Sequence, residues 1–195
     1  MRVLVLYAHP LPDSFHAALH AAAVDGLSRA GHQVDDCDLY AEGFNPVLSA
    51  EERRHYHDLT RNRAPVAGYV ERLQAAEALV LCFPVWCFGP PAILKGFLDR
   101  VMLPEVSFSI APDGKVSPKL TQLRRIAAVT TYGRPRWMAW YVGDPPRKLV
   151  TRYLNAVSGR RARIDYLALY HMNVADQAAR SAFLARVGRH FAGFA

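Results

Sequence analysis

The sequence predicts an α/β fold in three layers, a five-stranded parallel sheet with helices on both faces. Three observations predict it. The runs Val3–Tyr7, Ala78–Phe83 and Arg125–Thr131 are short and mostly apolar, as strands buried on both faces are. Segments whose apolar residues recur at helical spacing stand between them. No repeat, low-complexity tract or shift in composition divides the 195 residues. The chain is therefore expected to be one domain over residues 1–195, long enough to bury a sizeable core.

Each element follows in order. Val3–Tyr7 is a buried strand ending in a turn. Asp13 or Ser14 then caps a helix whose apolar positions are Phe15, Leu19, Ala22, Ala23, Leu27 and Ala30, and Gly31 stops it. Val34–Leu39 carries Asp35, Asp36 and Asp38, too polar for the middle of a sheet, and is assigned to an edge. Glu51–Asp58 is a short polar helix and Val66–Ala76 a weakly amphipathic one. Ala78–Phe83, the most apolar segment, takes the sheet centre. Pro91 opens a helix to about Arg100, since proline lacks only an N–H that the first turn leaves unused. Pro112-Asp113-Gly114 turns a hairpin between Val106–Ile110 and Lys115–Val116. Arg125–Thr131 is a core strand, Pro146–Val157 a helix, Ile164–Leu169 the fifth strand and Asp176–Phe191 the last helix.

Composition excludes several classes. The chain is 51% hydrophobic and 21% charged with 3 Cys, which rules out disorder, collagen and a disulfide scaffold. The longest uncharged apolar run, Ala78–Leu94, is broken by Pro84, Gly89, Pro90 and Pro91, so it is no spanning helix. The five apolar residues before His9 are too few for an export signal, and three cysteines fit the reducing cytoplasm. The net charge of +7 comes from 24 Lys and Arg against 17 Asp and Glu, but only Arg160, Arg161 and Arg163 cluster. Nucleic acid is not expected; attraction of small anions is.

In open parallel sheets ligands bind beyond the carboxyl ends of the strands, where strand order reverses. That selects the loops after Tyr7, Phe83 and Thr131. The first, His9 to Phe15, is neither a G-x-G-x-x-G nor a P-loop, yet it opens a helix whose N–H groups favour an anion, with Ser14 and His9 as added donors. The plainer roles are a helix cap for Ser14 and a backbone contact for His9. The second loop, Pro84 to Pro91, holds Trp86 and Phe88 on a proline-stiffened turn, a shelf for a flat conjugated ligand or else packing for the core or a subunit interface. The third, Thr130-Thr131-Tyr132-Gly133-Arg134-Pro135-Arg136-Trp137, offers hydroxyls, N–H groups and the charge of Arg134 and Arg136 to a polar ring edge, or is an ordinary turn with solvated arginines. Together they describe a pocket for a phosphate-bearing planar heterocycle, of which a flavin is the obvious candidate.

The stretch Phe83-Pro84-Val85-Trp86-Cys87-Phe88-Gly89-Pro90-Pro91, continuing to Val101, resembles the signature of NAD(P)H:quinone oxidoreductases of the flavodoxin-like fold. Asp38 to Ser49, Ala8-His9-Pro10 with Ser14-Phe15, and Thr130-Thr131-Tyr132-Gly133 resemble the same family in the same order; after about Arg160 only the pattern agrees. The resemblance implies a two-electron reductase in which NAD(P)H passes a hydride through flavin N5 to a quinone or similar acceptor. It implies that His9, Ser14 and Phe15 hold the phosphate end, that Pro84, Val85, Trp86, Cys87 and Phe88 line the ring, and that Thr130, Thr131, Tyr132 and Gly133 meet its polar edge. It implies a homodimer and a flavin that is FMN or FAD. Three departures stand out. Cys87 occupies a position usually held by Trp, Tyr132 replaces a glycine and is expected to narrow the pocket, and the family's Tyr and His beyond this turn have no counterpart. Tyr141 or Arg136 is left to substitute, and the catalytic residue stays open. Some relatives are flavin-bound ancillary subunits of potassium efflux systems, which makes a regulatory module with a peripheral membrane partner the alternative. A one-electron carrier is disfavoured by the positive charge.

Other residues take plainer roles. His16 and His20 have the spacing of two metal ligands but no third, and are expected on a solvated helix face. His55 and His57 are expected at the surface, Cys82 in the core, and Lys95 and Arg100 along a helix flank with solvated heads.

Overall fold

A computed structural model describes residues 1–195. In chain order its elements are β1 (Arg2–Tyr7), α1 (Phe15–Arg29), β2 (Gln33–Asp38), α2 (Ala50–Arg54), α3 (Ala67–Ala75), β3 (Ala78–Val85) and α4 (Ala92–Val101). A hairpin of β4 (Phe108–Ile110) and β5 (Val116–Pro118) follows, then β6 (Arg125–Tyr132) and α5 (Arg136–Tyr141). α6 (Pro145–Lys148) and α7 (Asn155–Val157) are joined by a π-helical stretch, Leu149–Leu154, and β7 (Arg163–Leu169) and α8 (Gln177–Ala192) complete the chain. The sheet is parallel throughout, in the order β2-β1-β3-β6-β7, with the polar β2 at one edge.

Alternation along the strands sends side chains to two cores. Leu4, Leu6, Leu79, Leu81, Ile126 and Ala128 pack with α3, α4 and the α6–α7 segment. Val3, Val5, Val80, Cys82, Ala127 and Val129 pack with α1 and α8. On that second face Gly26 lets α1 approach α8 closely: an added Cβ would stand 2.9 Å from Phe191 Cβ. On the first, Gly96 of α4 lies under Pro46, whose carbonyl oxygen would be 2.2 Å from such a Cβ. These two glycines set how near the outer layers sit to their neighbours.

The structure differs from the sequence expectation in instructive places. The polar helix is only Ala50–Arg54, fixed by a capping box in which Ser49 Oγ accepts from Glu52 N–H and Glu52 accepts from Ser49 N–H. β3 continues through Pro84 to Val85. Its pairing with β1 ends at Cys82, so the missing N–H of Pro84 falls where β3 has no β1 partner, while pairing with β6 runs on to Val85. The 146–157 helix is interrupted by the π stretch, and α5 replaces part of an expected turn. His16 is not on a solvated face; it is buried against the sheet. His20 stacks on Tyr7 with centroids 4.1 Å apart and contacts Asp36 at 2.8 Å. Arg100 does not reach solvent either. It pairs with Glu52 at 2.6 Å beneath α2. No helix is long and apolar enough to cross a membrane.

Candidate functional site

Because β3 outruns β1, the sheet has a notch at its carboxyl edge, at the point where the chain order reverses between β1 and β3. A cavity of about 550 Å³ fills the notch, within the range of small-molecule sites. The loop after β1 supplies His9, Ser14, Phe15 and His16; the end of β3 and its loop supply Pro84, Val85, Trp86, Cys87 and Phe88; and the end of β6 supplies Thr131, Tyr132, Gly133 and Arg134. Met172 and Asn173, after β7, close the far side. All but one of the expected pocket residues are thus brought together. The exception is Thr130, which is fully buried behind the wall and does not reach the cavity. Tyr141, the candidate for the missing catalytic residue, is 79% exposed on α5 and lies outside the cavity.

The first loop is built to present donors. Ser14 caps α1 by accepting from Ala17 N–H at 3.1 Å. The N–H groups of Phe15 and His16 then have no partner within the chain and open toward the cavity. His9 Nδ1 accepts from Leu11 N–H at 3.1 Å, so the neutral ring carries its proton on Nε2. His16 is 3% exposed, and neither ring nitrogen has a partner. Burial, then the neighbouring His9, pushes its pKa down to about 3, so the ring is neutral. A buried imidazole at a cavity wall, near the Phe83 backbone but with no well-formed hydrogen bond, can serve as a binding group, whereas the helical pattern alone places it on a solvated face. Helical spacing does not reveal which face of α1 meets the notch.

The second loop is a tight turn. Trp86 and Gly89 exchange both backbone hydrogen bonds, at 3.0 and 2.8 Å. Cys87 and Phe88 between them have φ of 49° and 58°. Two left-handed residues in succession are ordinarily Asn-Gly, and non-glycine residues pay about 1–2 kcal/mol each in that conformation. The paired turn presents Trp86, 43% exposed, as a shelf whose ring lies 5.8 Å from that of His9.

The third loop is held from behind. Tyr132 does not narrow the cavity with its hydroxyl. The ring is buried, and its hydroxyl lies 2.6 Å from Asp144 and 2.6 Å from Tyr166. A carboxylate only accepts, so Tyr132 donates to Asp144 and accepts from Tyr166. Burial above all raises the Tyr132 pKa, keeping it protonated. Asn173 covers Gly133 so closely that an added Cβ would meet its amide at 3.0 Å. His171 N–H donates to Arg134 carbonyl at 2.9 Å, tying the loops after β6 and β7 together. No group of three or more His, Cys, Asp or Glu side chains has the arrangement of a metal site.

The arrangement can hold an anion at the start of α1, a flat ring against Trp86, and a polar ring edge at Thr131–Gly133. Comparison with known proteins places the chain in a family. The sequence pattern of the family described as "Flavodoxin-like fold" matches residues 1–191. A ribosyldihydronicotinamide dehydrogenase [quinone] from Pongo abelii is 36% identical over 151 residues, 68% of this chain and 64% of that protein. The chain thus spans just under two thirds of the length of that relative. The crystal structure of Smu.1420 from Streptococcus mutans UA159 superposes with a TM-score of 0.88 at 28% identity, covering all of both chains. An NAD(P)H:quinone oxidoreductase from Methanothermobacter marburgensis gives a TM-score of 0.84 at 24% identity, over 100% of this chain and 99% of that one, a likeness of fold.

Proposed function

This chain belongs to the flavodoxin-like family that includes the NAD(P)H:quinone oxidoreductases, and from that premise we propose that it is a flavin-dependent NAD(P)H:quinone oxidoreductase. The observation that carries the reading is the unsatisfied donor set at the start of α1, facing an exposed indole across one notch. When bound, a flavin (FMN or FAD) would supply the two-electron redox chemistry between the nicotinamide and the acceptor. The chain's residues bind and orient. Ser14, the N–H groups of Phe15 and His16, and His9 Nε2–H hold the phosphate end, where the dipole of α1 favours negative charge. Pro84, Val85, Trp86, Cys87 and Phe88 line one face of the ring, and Thr131, Tyr132 and Gly133 meet its polar edge. His16, being neutral, accepts or donates to the bound group without adding charge. Trp86 and its strained turn keep one face of the slot open for a planar co-substrate.

The domain spans residues 1–195 and acts in the cytoplasm, a reading supported by three cysteines that are all free. Trp137 and Tyr141, exposed on one face of α5, support pairing of two copies. Purified protein should be yellow, release flavin on denaturation, and oxidise NAD(P)H with a quinone. Colourless protein that takes up no flavin and oxidises no NAD(P)H would refute the reading. Yellow protein with slow turnover that co-purifies with a membrane transporter would instead favour an ancillary subunit.

A further inference from the structure

A second cavity, of about 460 Å³, lies beside the first at the carboxyl ends of β6 and β7. Arg136, Arg147, Lys148 and Arg152 line it, together with Trp140 and a single carboxylate, Asp144. The two cavities share a wall. Tyr132, which lines the first, stacks on Tyr170 of the second with centroids 4.5 Å apart and donates to Asp144. None of the four cations takes part in an ion pair. The contrast with the arginines held against other elements is plain, since Arg72, Arg100 and Arg125 each meet a carboxylate at 2.6–2.7 Å.

Four like charges around one concavity repel one another, and the one carboxylate among them, Asp144, offsets only part of that charge. Local structure nevertheless holds the cations there. The backbone widens to a π-helical turn at Leu149–Leu154, which carries Arg152 at the rim. Lys148 folds back over the preceding turn, with Nζ 3.2 Å from where a Cβ on Gly143 would stand. Trp140 beside them is 79% exposed. A bare indole flanked by guanidinium and ammonium groups suits a purine ring and a phosphomonoester.

We propose that this cavity seats the adenosine phosphate of the reductant, so that the protein selects NADPH over NADH. The proposal deepens the reductase reading above and rests on it. Neighbouring strands lie about 4.8 Å apart, so cavities at the ends of β3–β6 and β6–β7 are within the span of one extended dinucleotide. The nicotinamide end then enters the first cavity while the ribose phosphate meets Arg136, Arg147, Lys148 and Arg152.

Calorimetric titration with adenosine 2′,5′-bisphosphate and with 5′-AMP, on protein with and without flavin, tests this directly. The bisphosphate should bind at least about tenfold more tightly than 5′-AMP, and Lys148→Ala/Arg152→Ala should abolish that difference. Trp140→Ala should weaken both nucleotides by a similar factor. In turnover, kcat/KM for NADPH over NADH should exceed about ten and fall towards one in the double variant. Equal binding of the two nucleotides by the parent protein, or a ratio the double variant does not move, overturns the seat. Discriminating binding that the double variant abolishes, in a protein that oxidises no NAD(P)H, leaves the seat standing and overturns the reductase reading.

Discussion

His16 and Trp86 stand on opposite sides of one notch, and each makes a separable prediction. His16 is neutral when folded, with a pKa near 3, whereas an unfolded histidine titrates near 6.5. Between those values the unfolded chain binds a proton that the folded one refuses. Stability is therefore full above about pH 6.5 and declines as pH falls, with a slope approaching about 1.4 kcal/mol per pH unit from this group. Denaturant unfolding of His16→Leu should show that part of the acid slope removed, and flavin affinity weakened about tenfold through loss of a buried hydrogen-bonding group. An unchanged acid slope would show that His16 is not the group responsible. For Trp86, truncation to Ala should weaken flavin binding by about 1–3 kcal/mol, more than Cys87→Ala does. Fluorescence titration with FMN and FAD measures both, and equal retention in the two variants would contradict the shelf.

At the scale of elements, one close approach and one mismatch in strand length matter most. α4 sits under the Asn45–Pro46 segment only because Gly96 has no side chain; a methyl there would overlap Pro46 backbone atoms at 2.2–2.5 Å. Backbone cannot rotate away as a side-chain tip can. Gly96→Ala should cost about 3 kcal/mol in urea unfolding, an overpacking effect. A cost below about 0.5 kcal/mol would mean that the segment moves freely. The extension of β3 past β1 is the second determinant. It leaves Phe83–Val85 unpaired on one side, gives Pro84 a tolerable position, and carries the 86–89 turn out beside the start of α1.

For the whole molecule, the net charge of +7 is unevenly used. Arginines packed between elements are neutralised by carboxylates, as Arg125 is by Asp165 at 2.7 Å under the ring of Phe194. Those around the two cavities are not, so part of the uncompensated charge lies at the carboxyl end of the sheet. Under the proposed function, encounter with an anionic reductant is then electrostatically assisted. Stopped-flow reduction at limiting NAD(P)H should slow several-fold between about 20 and about 200 mM salt, as the Debye length shrinks. A rate indifferent to salt would mean that the charge does not steer.

Local patterning determined the layers of this protein. Strand runs such as Val3–Tyr7 and Ala78–Phe83, the Ser14 cap and the proline at the start of α4 are consequences of nearest-neighbour chemistry, and each is visible within a few residues. The three loops that converge on the notch were also legible, because parallel topology sends every strand's carboxyl end to one edge. Tertiary structure alone decided the rest. It chose which face of α1 is buried, and so made His16 a cavity group. It placed Thr130 behind the wall, left Tyr141 outside, and gathered Arg136, Arg147, Lys148 and Arg152 around one hollow. These outcomes depend on how far β3 outruns β1 and on where a helix widens into a π turn. Those are register and packing choices made between residues far apart in the chain, where short-range periodicity carries no information.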